Sequence, residues 1–172
     1  MPAEPWLRAA PIETSRLRLE PLRAEDADEM FAVLDDERLH EFTGGQALTL
    51  EELRTWFAFL ARGLAPDGQE IWLNWIVRLR DGSAIGYVQA GLEYLNADVA
   101  WVIGVPWQRL GYASEATAAM IDWLVAQKVE SFAAAIHPGN AASAAVARRC
   151  GFQPTDQLVE GEIVWRRAAP TK

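Results

Sequence analysis

The sequence predicts an α+β domain, and three observations predict it. Segments of two-residue apolar alternation are interleaved with segments of helical period, in the order β-α-α-βββ-α-β-α-ββ. The three central strands are joined by connections too short for a crossover helix, which makes them an antiparallel meander. Two final strands flank the turn Glu160-Gly161. The sum is about seven strands and about four helices around one mixed core.

Leu17, Leu19, Pro21 and Leu22 alternate with Arg18 and Glu20 as a first short strand. Ala24 to Asp36 reads as a helix with Met30, Phe31, Val33 and Leu34 on one face and acidic residues near its start, where the dipole favours them. Thr43-Gly44-Gly45 breaks the chain. Thr49 and Glu52 have capping-box spacing before the apolar face Leu53, Trp56, Phe57 and Leu60, and the helix ends at Gly63. Ala65-Pro66-Asp67-Gly68 is a loop. Ile71 to Leu79 is a β-branched and aromatic strand, Asp81-Gly82 a hairpin turn, and Ala84 to Leu92 the return. Tyr94 to Asp98 turns the chain into a third strand, Val99 to Val105. Helical period resumes after Gly111, Ser131 to Ile136 is a short strand, and Asn140 to Arg149 is a helix stopped by Gly151. Phe152 to Val159 and Glu162 to Arg166 are the last strands.

The chain's 172 residues suit one domain, expected over 12–168, with 1–11 and 169–172 as flexible ends. The proline-rich start is read as neither signal peptide nor membrane span, and no apolar run approaches the roughly 18 residues a span needs. A soluble, cytoplasmic protein without membrane contact is the expectation. A net charge of −8 repels a phosphate backbone, so nucleic acid is not an expected partner. The single Cys150 excludes an internal disulfide and a thiolate cluster; with only His40 and His137 beside it, no metal is expected.

The segment with the most chemistry is Trp107-Gln108-Arg109-Leu110-Gly111-Tyr112-Ala113-Ser114-Glu115. There a strand ends, a glycine permits a tight turn, and a helix opens with no polar cap but Ser114. Unpaired amides at a helix start form an anion site, and Arg109 adds a charge beside it. A plain strand-to-helix turn would use the same glycine. The segment matches neither the dinucleotide fingerprint nor a P-loop.

Gln108-Arg109-Leu110-Gly111-Tyr112-Ala113 resembles the Gln/Arg-x-x-Gly-x-Gly/Ala signature of the GNAT (Gcn5-related) N-acetyltransferases. His137-Pro138-Gly139-Asn140-Ala141-Ala142-Ser143 with Cys150-Gly151-Phe152 is similar to that family's Asn-x-x-Ser … Gly-Phe block. The branch it most resembles is the ribosomal-protein N-terminal acetyltransferases (RimJ/RimL-like), which Thr14-Ser15-Arg16-Leu17-Arg18-Leu19 and Thr43-Gly44-Gly45 also fit. The resemblance spans Ile12 to Arg166. It implies a GNAT-type fold, with a twisted, mostly antiparallel sheet flanked by helices, and acetyl-CoA as co-substrate. It further implies that Gln108, Arg109, Leu110, Gly111, Tyr112, Ala113 and Ser114 hold the pyrophosphate. Ile103, Gly104 and Val105 would bind the pantetheine arm, and Asn140 and Ser143 would lie beside the thioester. Arg148 or Arg149 would reach the adenosine phosphates or simply face solvent. Two positions depart from the pattern: Val105 stands where relatives often have Pro, and Arg109 where they often have Gly.

The activity so implied is transfer of an acetyl group to a primary amine, either a protein N-terminus or a small molecule; the alternative is an acyl-CoA-binding regulatory module without turnover. The reaction needs a base, an oxyanion donor and an acid for the leaving thiolate. Asp98, at the start of the third central strand, is the first candidate base, with Glu93 behind it. His137 titrates in the right range. Ser143 is the acid that the resemblance implies, and Cys150 reads as a small buried residue rather than a nucleophile. Trp72 and Trp75 have opposite parity on one strand, so one of them is a candidate wall of an acceptor pocket. Pairing of the meander's last strands between subunits would make a homodimer.

Overall fold

A computed structural model describes residues 5–43 and 45–171. Its elements are β1 (Ile12–Glu13), β2 (Leu17–Pro21), α1 (Ala27–Leu34), α2 (Leu50–Leu60), β3 (Ile71–Leu79), β4 (Ala84–Glu93), β5 (Asn96–Ile103), α3 (Tyr112–Ala126), β6 (Ser131–Ile136), α4 (Ala141–Arg149), β7 (Gln153–Val159) and β8 (Glu162–Ala168). Short 3-10 turns occupy Ala24–Asp26, Glu37–His40 and Val105–Trp107. The strands form one sheet in the order β1-β2-β3-β4-β5-β6-β8-β7. Every neighbouring pair is antiparallel except β5 and β6.

The predicted order of elements holds, with local differences that have local causes. An eighth strand, β1, adds two residues to the sheet edge by pairing Ile12 with Leu19 and Glu13 with Arg18. The helix expected to start at Ala24 opens as a 3-10 turn and ends at Leu34, where Asp35 leaves the helical region at φ −81°, ψ 55°. The third central strand begins at Asn96, not Val99. Tyr94 adopts φ 56°, so the hairpin closes over Tyr94-Leu95 with Glu93 opposite Asn96. The strand stops at Ile103 because Pro106, which has no backbone donor, lies in the 3-10 turn that follows. Thr49 and Glu52 close their capping box on α2. Of the expected break at Thr43-Gly44-Gly45, Gly44 lies outside the described residues.

Two apolar layers sandwich the sheet. On one face Leu17, Leu19, Leu73, Trp75, Val77, Val88 and Leu92 pack against Ala116, Met120, Ile121 and Leu124 of α3. On the other, Ile76 and Ala84 meet Ala27, Met30 and Val33 of α1 and Leu53 and Phe57 of α2. Alternate side chains of β3 serve opposite layers, as the strand's two-residue period requires. Part of the stretch expected as a flexible end, residues 1–11, packs. Leu7 and Ala9 lie against the first layer, because the indole Nε1 of Trp75 donates to the Ala10 carbonyl at 2.8 Å and holds the segment there. At the other end the Ala169 amide donates to Glu130 O at 2.8 Å. Among the described residues no helix is long and apolar enough to cross a membrane.

Candidate active site

The parallel pair β5–β6 opens into a wedge. Asn96, Ala97 and Asp98 pair with Ser131, Phe132 and Ala133, and there the ladder stops. The far edges of both strands stay fully paired, β5 with β4 as far as Ile103 and Gly86, β6 with β8 as far as Ile136 and Ile163. Residues Val99–Ile103 therefore show one unpaired backbone edge to the wedge. α3 and α4, which follow the two strands, begin at its mouth and floor it on one side, where the Trp101 and Phe152 rings lie 6.5 Å apart.

The junction from β5 into α3 leaves a run of backbone amides facing outward. Arg109 and Gly111 are both left-handed, at φ 62° and 84°. That costs an L-residue such as Arg109 roughly 1–2 kcal/mol, whereas Gly111 has no Cβ to clash. Such alternating turns curl successive amides into a concavity. Among the described residues the backbone N–H groups of Arg109, Leu110, Gly111, Tyr112, Ala113 and Ser114 have no partner, and Gly111 caps α3 with no side-chain bond. Gly104 is needed for a different reason: a Cβ there would lie 2.9 Å from both the Trp107 ring and Val33.

Gln108 braces the turn from within. Its Nε2 donates to Ile103 O at 2.9 Å and its own amide donates to Val105 O, so it shapes the turn while its neighbours' amides stay free. Ile103 and Gly104 are buried at the strand end, Val105 is partly covered, and Arg109 and Leu110 are exposed at the mouth. The Ser114 hydroxyl is buried without a partner among the described residues.

The β1–β2 connection holds the turn in place. Glu115 accepts from Thr14 Oγ1 at 2.6 Å, from the Arg16 amide at 3.1 Å and from Arg16 Nε at 2.7 Å. Arg16 Nη1 donates to Leu110 O, and its guanidinium lies over the Tyr112 ring at 4.5 Å. Partial burial works against ionisation of Glu115, but the bonds from Thr14 and Arg16 outweigh it and hold the carboxyl below its ordinary range. No local pattern signals this clamp, because its two halves are about a hundred residues apart.

Across the mouth, Asn140 caps α4: its Oδ1 accepts from the Ser143 amide at 3.0 Å. The Asn140 Nδ2 and Ser143 Oγ carry no hydrogen bond among the described residues, and both side chains are half-buried beside the wedge. His137 is exposed at the end of β6. Its Nδ1 accepts from the Gly139 amide at 2.9 Å, and its ring lies 5.3 Å from that of Phe42. That bond occupies Nδ1 and leaves Nε2 as the ring nitrogen without a partner among the described residues.

Asp98 stands at the vertex of the wedge, where the β5–β6 pairing ends. Its carboxylate is exposed along a cleft shared with Glu70, Glu93, Asn96, Ser131 and Arg166. Partial desolvation raises it above the ordinary carboxylate range, Glu70 pushes the same way, Arg166 opposes, and Glu93 adds a little. It shares a sheet face with Val102, about 13 Å further along the strand. The structure therefore gathers Gly111, Asn140, Ser143 and His137 around the mouth and leaves Asp98 at the vertex. Cys150 is buried, and desolvation lifts its thiol to about 11, too high for a nucleophile. Arg148 stacks over Trp165 at 5.1 Å.

On the opposite face a cavity of about 140 Å³ lies under α1 and α2. Asn74 of β3, Tyr87 and Gln89 of β4 and Val102 of β5 form its floor. Neither tryptophan of β3 lines it. Trp75 is fully buried against Trp123 on the α3 face, and Trp72 packs on Phe59 and donates to Glu70 Oε2. Asn74, between them on the strand, is the residue that points into the cavity; even spacing from Ile76 and Arg78 was the signal for that.

A family model described as "Acetyltransferase (GNAT) domain" matches residues 16–153. No curated protein sequence matches the chain. Solved structures share the fold at low identity. A GNAT-family acetyltransferase from Bacillus anthracis superposes with TM-score 0.76 at 17% identity, covering 92% of this chain and 98% of that one. RimL, the ribosomal L7/L12 alpha-N-protein acetyltransferase, solved with coenzyme A, gives 0.75 at 16% over 92% and 98%. AAC(6')-Ib, solved with ribostamycin and coenzyme A, gives 0.73 at 16% over 88% and 93%.

Proposed function

Since the chain belongs to the GNAT acetyltransferase family, we propose that this acetyl-CoA-dependent enzyme transfers the acetyl group directly to a primary amine through the wedge between β5 and β6. The observation that carries the reading is the run of unpartnered amides from Arg109 to Ser114 at the head of α3, next to the unpaired edge of β5. Those amides and the positive helix end suit the pyrophosphate of coenzyme A. From there the extended pantetheine arm runs along Val99–Ile103 toward the vertex, hydrogen-bonding the free edge as a further strand would. Asn140 and Ser143 close on its other side. RimL and AAC(6')-Ib were solved with coenzyme A, which favours the same ligand here.

In this reading the neutral amine attacks the thioester carbon, and the C–S bond breaks as the amide forms. A backbone amide of the free β5 edge meets the oxyanion. The proton lost by the nitrogen passes along a chain of waters over the Val102, Ala100 and Asp98 face of β5 to Asp98, whose raised carboxyl makes it a better base than an ordinary aspartate. Ser143 supplies a proton to the departing thiolate. His137, its Nδ1 occupied, orients the mouth through Gly139 and Phe42. The exposed edge strand β7, with Leu158 and Val159 uncovered, is where a second copy would pair in a homodimer.

Thiol release from acetyl-CoA against an amine and peptide panel, run beside calorimetric titration of acetyl-CoA, tests the proposal. Asp98→Asn is expected to lower turnover about 10²-fold or more, at the scale of general-base loss, with cofactor affinity unchanged. The wild-type acid limb should sit above the ordinary carboxylate range and vanish in that variant. Tight acetyl-CoA binding without turnover on any acceptor would instead identify a regulatory acyl-CoA-binding module, and no binding at millimolar cofactor would remove both.

A further inference from the structure

The cavity under α1 and α2 carries a statement about the acceptor. Its walls are mostly apolar and aromatic, drawn from Phe31, Leu53, Trp56 and Phe57 among others, with His40 and Thr43 as polar members, and among the described residues no lysine or arginine lines it. One carboxylate, Asp35, contributes, and it is exposed at the rim. The floor is polar in a particular way. Asn74 is only 7% exposed, lies against the cavity, and its amide has no hydrogen-bond partner among the described residues. Gln89, its cross-strand partner, is equally uncommitted, and so is the Tyr87 hydroxyl, whose pKa is pushed up by burial.

The Asn74 carboxamide opens onto the cavity, so a group seated there supplies the hydrogen bonds that it lacks within the described residues. Two carboxamides side by side offer both a donor and an acceptor, which complements another amide. A polycation would place its second and third ammonium groups among leucines and phenylalanines, where unpaired charge is strongly disfavoured. The one rim carboxylate balances one ammonium. The carboxylates Glu70, Glu93 and Asp98 lie in a separate cleft that shares no lining residue with this cavity.

The cavity also adjoins the reaction path. Val102 contributes to its floor, and Val102 belongs to the unpaired stretch of β5 along the wedge. Gln89 is paired with Ala100 in that same stretch. An acceptor seated here presents its nitrogen to whatever lies along the free edge.

Resting on the acetyl-transfer reading above, we infer that the acceptor is a monoamine with a large apolar or aromatic group and an amide next to the amine-bearing carbon. Free hydrophobic amino-acid amides and peptide N-termini led by a hydrophobic residue share this chemistry. Polyamines and aminoglycosides do not.

Calorimetry in saturating coenzyme A tests it without needing turnover. L-Phenylalaninamide should bind at least tenfold more tightly than glycinamide or spermidine. Trp56→Ala, at a half-exposed wall position, should weaken phenylalaninamide about tenfold. Asn74→Leu should weaken it about fivefold while leaving 2-phenylethylamine, which lacks the amide, unchanged. Gln89→Leu repeats that comparison should Asn74→Leu fail to fold, with acetyl-CoA affinity as the check on folding. A Phe-led pentapeptide that binds as well as the amide identifies a chain terminus as acceptor, and a peptide excluded while the amide binds identifies a small molecule. Spermidine binding as tightly as phenylalaninamide, or affinity unmoved by both floor variants, overturns the inference. Loss of acetyl-CoA binding by the wild type would overturn the acetyl-transfer reading instead, so the two failures are distinguishable.

Discussion

Gly111 combines two demands that no other residue meets. Its φ of 84° is left-handed, and a Cβ there would lie 3.2 Å from Arg16 Nη2, in the clamp that anchors the turn. Gly111→Val is therefore expected to lose roughly 1–2 kcal/mol of stability from the backbone alone, and to weaken acetyl-CoA by tenfold or more as the amides rotate away. Thermal denaturation and calorimetry check the two effects; unchanged affinity would mean that the turn is only a turn. Gly111 was legible because glycine before a helix with no cap is a pattern in sequence alone. Arg16 was not: nothing near it in the chain signals Glu115. His137 shows a third kind of limit: the Gly139 amide that occupies its Nδ1 is a matter of loop geometry, which no spacing reveals.

At the scale of elements, the clamp between the β1–β2 connection and the first turn of α3 makes a pH-dependent contribution. Glu115 is held below its ordinary range by Thr14 and Arg16, against the effect of burial. A carboxyl depressed in the folded state stabilises above its unfolded pKa of about 4.3 and loses that stabilisation as pH falls through the folded value. Glu115→Gln should therefore cost about 1 kcal/mol near pH 7, a modest figure because Arg16 is half-exposed, which is a few degrees in Tm. The gap between variant and wild type should hold from pH 8 to 5 and close below about pH 4; a gap that widens in acid would contradict the assignment. Strands and helices with strong periodicity, such as Ile71–Leu79 and Ser131–Ile136, were fully readable. β1 was not, since two residues carry no period, and the start of β5 was displaced because the left-handed Tyr94 closes a hairpin where glycine or asparagine is the usual sign.

For the molecule as a whole, the sheet separates a donor face under α3 and α4 from a face under α1 and α2, and one polar knot fastens the second layer. Arg78 bonds Glu20 and Glu29 at 2.8 Å, Asp26 at 3.3 Å and Gly82 O at 3.0 Å, thereby tying β3 to the first turns of that layer. Its guanidinium is 11% exposed and Asp26 is 5% exposed. Removing Arg78 leaves the buried Asp26 with only the more distant, exposed Arg23 as counter-charge, a loss of about 3–5 kcal/mol. Arg78→Ala is accordingly expected to lower Tm by roughly 6–20 °C at this chain length. The loss should be local in its functional consequence. Below the variant's melting range, acetyl-CoA affinity should match the wild type, because the amides of Arg109–Ser114 lie at the head of α3 and no side chain of the knot touches them. Amine affinity should fall, because α1 and α2 roof the cavity. Parallel titrations of cofactor and amine at 15 °C read the two faces independently. Equal losses in both would show that the sheet couples them instead of separating them.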